Sequence, residues 1–310
     1  MNLIGFPKTR MHEEKRIALF PSDIVAHVNH PEGLYFEIGY GLEHGVEDND
    51  YRRAGAHVVS RNTATSMDIY CQPKFCDRDV PFLKQDQIVF GWLHLGKEDL
   101  AYEAMINNNN TGIAWEFMNR QNKHVFQRNN IITGEIGVMH AMPYAGKIPE
   151  ECNVAIIGKG LVGTGARNML KKLCAKRIKV YDSISFSGFK PLIDTYDVIV
   201  HAADTYKILL TEEDMENLKP GALFIHIGSD SIRGNFGVSS IYRPVSFINQ
   251  GRNLIYCVNH VPTLAYQSVS KAISEDVVKY INILLNGRKS KVLEDAIVMD
   301  EGRPIHSRIS

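Results

Sequence analysis

The residues best equipped for chemistry are one histidine, one arginine, one lysine and one aspartate, each beside an apolar run that could hold it still. His94 lies in GWLHLG and closes QIVFGWLHL, a run that reads as a buried β-strand ending in glycine. An imidazole titrates near neutrality and can take up and return a proton there, although a lone histidine reads equally as an interior group hydrogen-bonded to backbone. Arg16, in HEEKRIALFPSD, carries a planar fork that matches a carboxylate, with a surface ion pair to Glu13 or Glu14 as the competing reading. Lys74, in CQPKF, shares that ambiguity. Asp230, in KPGALFIHIGSDSIRG, follows the carboxyl end of a buried-strand pattern, where open parallel sheets bind ligands and where turn acids also sit.

A second group is organised by spacing. In VAIIGKGLVGTGARNMLKKL, Gly158, Gly160 and Gly163 form GxGxxG between a buried-strand pattern and a helical one. Gly158 allows the tight turn, Gly160 admits a pyrophosphate to the backbone and Gly163 lets helix and strand approach. Leu161 and Val162 open the helix, whose N–H groups and dipole favour an anion. The next strand, IKVYD, ends in Asp182, 24 residues after Gly158. A carboxylate there accepts from the ribose hydroxyls and repels a 2′-phosphate, so NAD(H) is expected over NADP(H). Nicotinamide chemistry also needs a substrate anchor and a proton carrier, which Arg16, Lys74, His94 and Asp230 could supply.

These residues need two scaffolds. The first third alternates strand patterns (LIGFP, LYFEIG, AHVVS, DIYCQP, QIVFGWLHL, TGIAWEF) with helical ones such as PSDIVAHVNH, which predicts a parallel α/β sheet. The polar stretch QNKHVFQRNN, residues 121–130, predicts a surface loop with a domain boundary behind it. IITGEIGVMHAMPYAG is rich in small residues and suits a helix packed closely on a neighbour until Pro143. Strand patterns at VAII, IKVY, DVIVHA, ALFIHIG and NLIYCVN, with helical stretches between them, then predict a doubly wound nucleotide-binding domain. TLAYQSVSKAISEDVVKYINILLNG has helical periodicity, stops at Gly287 and would span about 35 Å at 1.5 Å per residue. The expectation is a two-domain α/β fold with a Rossmann domain, 131–267, inserted in a discontinuous catalytic domain, 1–130 plus 268–310.

Composition narrows the partners. With 35 Lys+Arg against 35 Asp+Glu among 310 residues, no basic surface for nucleic acid or anionic lipid is expected. No run of eighteen apolar residues and no signal-peptide pattern is present, so a cytoplasmic protein without a membrane span is expected. Five scattered cysteines, none in a CxxC pair, read as reduced thiols, and no metal site is expected. The long helix offers a dimer surface, so a homo-oligomer is expected unless its apolar face is used within the chain.

Taken in order, IGFPKTRMHEEKRIALFPSDI, FEIGYGLEHGVEDNDYRRAGAHVVSR, IVFGWLHLG, VAIIGKGLVGTGA, LKPGALFIHIGSDSIRG and YCVNHVPTLAYQSVSKAIS resemble the alanine dehydrogenase and lysine-forming saccharopine dehydrogenase superfamily. Its short branch, the N5-(carboxyethyl)ornithine synthases, is the nearest in pattern. The resemblance implies that Arg16 holds a 2-oxo acid carboxylate, Lys74 polarises the carbonyl or imine, His94 is the general acid/base and Asp230 the acid beside nicotinamide and substrate. His260, in NHVP, stands near nicotinamide where relatives usually have asparagine. The resemblance also implies NADP for the short branch, from which Asp182 departs. The implied activity is an NAD(P)H-dependent, opine-type reductive condensation of a pyruvate-like 2-oxo acid with an ornithine- or lysine-like amine. Glu116 or the loop 121–130 would meet the cationic end of that amine. Two alternatives are an alanine dehydrogenase-like oxidoreductase using ammonia and a non-catalytic, transhydrogenase-like NAD-binding module.

Overall fold

The computed structural model describes residues 1–205, 207–228, 240–287 and 289–305. The chain divides into two compact units: Met1–Phe126 with the chain from Tyr266 onward, and Gln127–Ala265.

The first unit opens with six strands, β1 (Ile4–Phe6), β2 (Leu34–Glu37), β3 (His57–Val59), β4 (Ile69–Lys74), β5 (Ile88–Trp92) and β6 (Thr111–Ala114). Each expected apolar run lies in one of them. Four helices are interleaved: α1 (Pro21–His27), α2 (Asp48–Arg53), α3 (Arg61–Ala64) and α4 (Leu100–Asn107). A small antiparallel hairpin, β7 (Asn119–Arg120) and β8 (Lys123–His124), precedes the boundary between the units.

The second unit begins with α5 (Gln127–Tyr144), so residues 127–130, expected in a loop, are a first helical turn. Their polarity misled because only Asn129 of the four is buried. The strands β9 (Asn153–Ile157), β10 (Arg177–Tyr181), β11 (Val198–His201), β12 (Leu223–His226), β13 (Val245–Ile248) and β14 (Asn253–Tyr256) form a sheet in the order β10-β9-β11-β12-β14-β13. All pairs are parallel except β13 with β14. Among the described residues the helical layer is thinner than expected. α6 (Leu161–Lys172) is full length, but two 3-10 turns follow β10 and the five-residue α7 (Glu212–Glu216) follows β11. Gly188 and Pro191 interrupt the stretch after β10, where neither favours a continued helix.

Helices α5 and α6 pack through small residues, as expected of the IITGEIGVMHA segment. A Cβ on Gly134 would stand 1.9 Å from the Val162 carbonyl oxygen, and one on Gly165 would stand 2.0 Å from that of Ile131. Only hydrogen at those positions allows the backbones to meet.

The chain returns to the first unit as α8 (Tyr266–Leu285), about 30 Å long at 1.5 Å per residue, followed by α9 (Lys291–Glu294), β15 (Ile297–Asp300) and β16 (Arg303–Pro304). The first sheet then runs β16-β15-β6-β5-β4-β1-β2-β3, parallel except at the two C-terminal strands. Gly287, at φ +61°, ends α8 as expected. Val269, Ile273, Val277, Ile281 and Leu284 are buried, so the apolar face of α8 is spent within the chain and supplies no argument about oligomeric state. Ser270 Oγ accepts the Ile17 N–H at 3.0 Å and Ser274 Oγ accepts that of Phe20 at 2.9 Å, which fixes the segment after Arg16.

Among the described residues no helix is long and apolar enough to cross a membrane. Among the described residues no disulfide joins any of the five cysteines.

Candidate active site

His94 is not on a strand. β5 ends at Trp92, and His94 lies two residues beyond it in a left-handed turn at φ +42°, with its side chain 53% exposed. Such a backbone is uncommon outside glycine and costs free energy unless the surroundings hold it. Glu116 holds it. Its Oε1 accepts the His94 N–H at 2.6 Å and its Oε2 accepts the Leu93 N–H at 3.2 Å. The same Oε1 stands 3.8 Å from His94 Nδ1. Glu116 reaches this place because β5 and β6 are parallel neighbours, with Gly91 opposite Ala114, and the turn Trp115–Phe117 directly follows β6. The glycines flanking His94 serve other groups than the imidazole. A Cβ on Gly91 would meet the Gln72 carbonyl oxygen at 2.1 Å, and one on Gly96 would meet the Asp99 carboxylate at 3.1 Å.

Lys74 ends β4 opposite Trp92, just after a break in register between Cys71 and Lys74. Burial pulls its ammonium down to about 8, with Arg16 pushing the same way and Glu116 and Glu14 opposing. Burial raises the Glu116 carboxyl, against the pull of the His94 N–H and the Lys74 charge. Lys74 and Glu116 therefore act on each other's charge, and with His94 they stand at the carboxyl ends of three adjacent strands, where parallel sheets place their ligands.

Arg16 lies beside it, with its guanidinium 5.0 Å from the centre of the Trp92 ring. Its Nε donates to Glu14 Oε1 at 2.8 Å and its Nη2 to Glu14 Oε2 at 2.6 Å. The ion pair with Glu14 that the sequence allowed does form, but it is buried, with side chains 4% and 0% exposed, and is no surface contact. The pair is bidentate and removed from water, so the fork is held in one orientation.

Asp230 lies outside the described residues. Glu116 was a candidate to meet a cationic amine, and its carboxylate is directed instead at the turn bearing His94 and at the charge of Lys74. The signal for this was present but faint: two neighbouring strands whose next residues are a histidine and a glutamate. A further pair went unnoticed. His201 and His226 end β11 and β12 in register, with their Nδ1 atoms 3.1 Å apart. DVIVHA and LFIHIG each show a histidine at a strand end, and that repetition was the available sign.

In the second unit the glycine loop has the geometry of its motif. Gly158 adopts φ +112°, and a Cβ there would lie 2.6 Å from the Ala202 carbonyl oxygen. A Cβ on Gly163 would lie 2.0 Å from that of Gly158, which is the close helix–strand contact the third glycine permits. At Gly160 a Cβ would meet nothing within 4 Å, so the space a pyrophosphate needs is open. Gly160 caps α6, and Leu161 and Val162 form its first turn.

Asp182 immediately follows β10 and closes a turn. Its Oδ1 accepts from Ser185 Oγ at 2.7 Å, Ser185 N at 3.0 Å and Ile184 N at 3.2 Å. Its Oδ2 lies 3.3 Å from Lys159 Nζ, a residue of the glycine loop. The Ser185 hydrogen bonds, and then Lys159, hold the carboxyl well below the ordinary range, so it is an anion. His260 adopts φ +47° before the turn Val261–Ala265 and donates its N–H to Asn259 Oδ1 at 2.9 Å. The strand, the glycine loop with its open corner, the helix and the acid at the next strand end together fit a dinucleotide.

The fold is a two-domain α/β arrangement of the Rossmann kind, and the proteins it resembles are amino acid oxidoreductases. Residues 5–128 match the family model of the alanine dehydrogenase/PNT N-terminal domain. The chain is 28% identical over 295 residues to an N(5)-(carboxyethyl)ornithine synthase of Lactococcus lactis subsp. lactis strain IL1403, covering 88% of this chain and 93% of the relative. It is 22% identical to an alanine dehydrogenase of Methanococcus maripaludis, covering 99% and 94%. Among solved structures, an L-alanine dehydrogenase shares its fold with a TM-score of 0.80 at 20% identity, covering 98% of this chain and 97% of that one. A transhydrogenase from Sinorhizobium meliloti shares it with a TM-score of 0.75 at 14% identity, covering 98% and 100%. The resemblance carried by the sequence blocks is thereby confirmed.

Proposed function

We propose that the chain is an opine-type amino acid dehydrogenase that condenses a pyruvate-like 2-oxo acid with an amino group of an ornithine- or lysine-like amino acid and reduces the resulting imine. The observation that carries this reading is the grouping of Lys74, Glu116 and His94 beside a buried Arg16. A module that only binds a dinucleotide has no need of a lysine held near neutrality against a carboxylate.

In this reading the Arg16 guanidinium holds the oxo-acid carboxylate and Lys74, protonated below about pH 8, donates a hydrogen bond to the carbonyl oxygen. His94 takes a proton from the incoming ammonium and returns one as the carbinolamine loses water, while Glu116 keeps its turn in place. The nicotinamide supplies the hydride that converts imine to secondary amine. NAD(H) is favoured over NADP(H), because the ionised Asp182 ends the second strand of the glycine-loop motif, where a carboxylate would meet the adenine ribose. Asp230 and His260 are assigned places beside the nicotinamide by the resemblance alone.

The test is a panel of 2-oxo acids and amines, ammonia among them, with each nicotinamide cofactor and mass spectrometry of the products. An N-(1-carboxyethyl) amino acid from pyruvate is expected. Turnover with ammonia and with no amino acid would replace this reading by the alanine dehydrogenase one.

A further inference from the structure

The ribose corner is electrically different from the one Asp182 alone would make. Asp182 spends Oδ1 on three donors of its own turn, and its Oδ2 faces the Lys159 ammonium at 3.3 Å. Lys159 stands between Gly158 and Gly160, so it is fixed to the loop that would wrap the pyrophosphate, and its side chain is 74% exposed. Asp182 is fixed to the end of β10, the strand paired with β9, which feeds that loop. Two opposite charges thus meet where the 2′ position of an adenine ribose would lie, and the corner carries no net charge from this pair. A lone carboxylate discriminates by repelling a phosphate, and a cation beside it offsets that repulsion and offers N–H donors.

We propose that Lys159 sets the cofactor discrimination of this chain: paired with Asp182 it makes a 2′-phosphate tolerable, so NADH is preferred to NADPH by no more than about tenfold. The proposal rests on the nicotinamide-dehydrogenase reading above and refines its preference for NAD(H). The carboxylate accepts the ribose hydroxyls when they are present. Held by its turn, it does not swing away when a phosphate is present, and Lys159 is then the group that moves to meet it.

The test is binding to the full chain, read by titration calorimetry, of NADH and NADPH and of ADP-ribose and 2′-phospho-ADP-ribose, which lack the reactive ring and need no turnover. Lys159→Ala is expected to weaken NADPH and 2′-phospho-ADP-ribose about tenfold while changing NADH and ADP-ribose by less than about threefold. Asp182→Asn is expected to tighten the phosphorylated ligands and narrow or invert the preference. Equal weakening of both pairs by Lys159→Ala would place the lysine on the shared pyrophosphate and overturn the inference alone, as would unchanged NADPH binding. If the native chain binds none of the four, the nicotinamide reading falls with it.

Discussion

At the scale of single residues, the candidate site depends on charges that restrain one another. His94 is presented by a backbone that histidine seldom adopts, and two N–H donors to Glu116 hold that turn. His94→Gln is expected to lower kcat by about 10²–10⁴-fold with little change in NADH affinity, measured by steady-state turnover and by cofactor titration. Lys74 loses its proton as pH rises through about 8. If its protonated form polarises the carbonyl, kcat/KM for the oxo acid falls above that pH. Lys74→Met is expected to abolish this limb of the pH profile and leave a low, flat rate. A limb that survives in the variant would assign the titration to another group. Glu14 matters in a different way: Glu14→Ala strands the buried Arg16 charge and is expected to cost about 3–5 kcal/mol in chemical unfolding.

At the scale of elements, the glycines separate packing from binding. Gly165→Ala in a helix would ordinarily stabilise by about 1 kcal/mol. Here the added methyl meets the Ile131 carbonyl 2.0 Å away, so the sign reverses and a loss of about 1–3 kcal/mol is expected from urea unfolding. Gly160→Ala meets nothing within 4 Å and should leave stability nearly unchanged while weakening dinucleotide binding by filling the open corner. The two substitutions, five residues apart, distinguish a helix contact from a ligand contact. The elements around His94 were partly legible in advance. The apolar run ending at Trp92 was visible as a strand from its length and composition, but the turn that follows it was not, because Leu93 and Leu95 continue the apolar pattern. Both are buried off the strand.

At the scale of the whole molecule, acid stability is set in part by a buried base. Burial, with the His226 charge adding, holds His201 down at about 3, against about 6.5 in an unfolded chain. Between those values the unfolded state binds a proton that the folded state does not, so stability is full above about pH 6.5 and falls as pH is lowered toward 3. His201→Asn is expected to flatten that dependence, seen as a smaller drop in the urea midpoint between pH 7 and pH 5. An unchanged slope would show that other groups dominate acid unfolding.

Much of this protein is encoded locally. Strand runs, the β–loop–α glycine motif, the acid at the following strand end and the stop of the long helix each depend on neighbours within one or two turns of chain, and they were read from periodicity and spacing alone. Glu116 reaching the turn of His94, Glu14 and Arg16 sharing a dry pocket, the two strand-end histidines in register and Lys159 closing on Asp182 depended on tertiary structure. The cause is physical. A side chain's propensity is felt along the chain, whereas burial and the Coulomb field act through space. Only the order of strands in a sheet decides which distant charges stand within 4 Å and how far water is excluded between them.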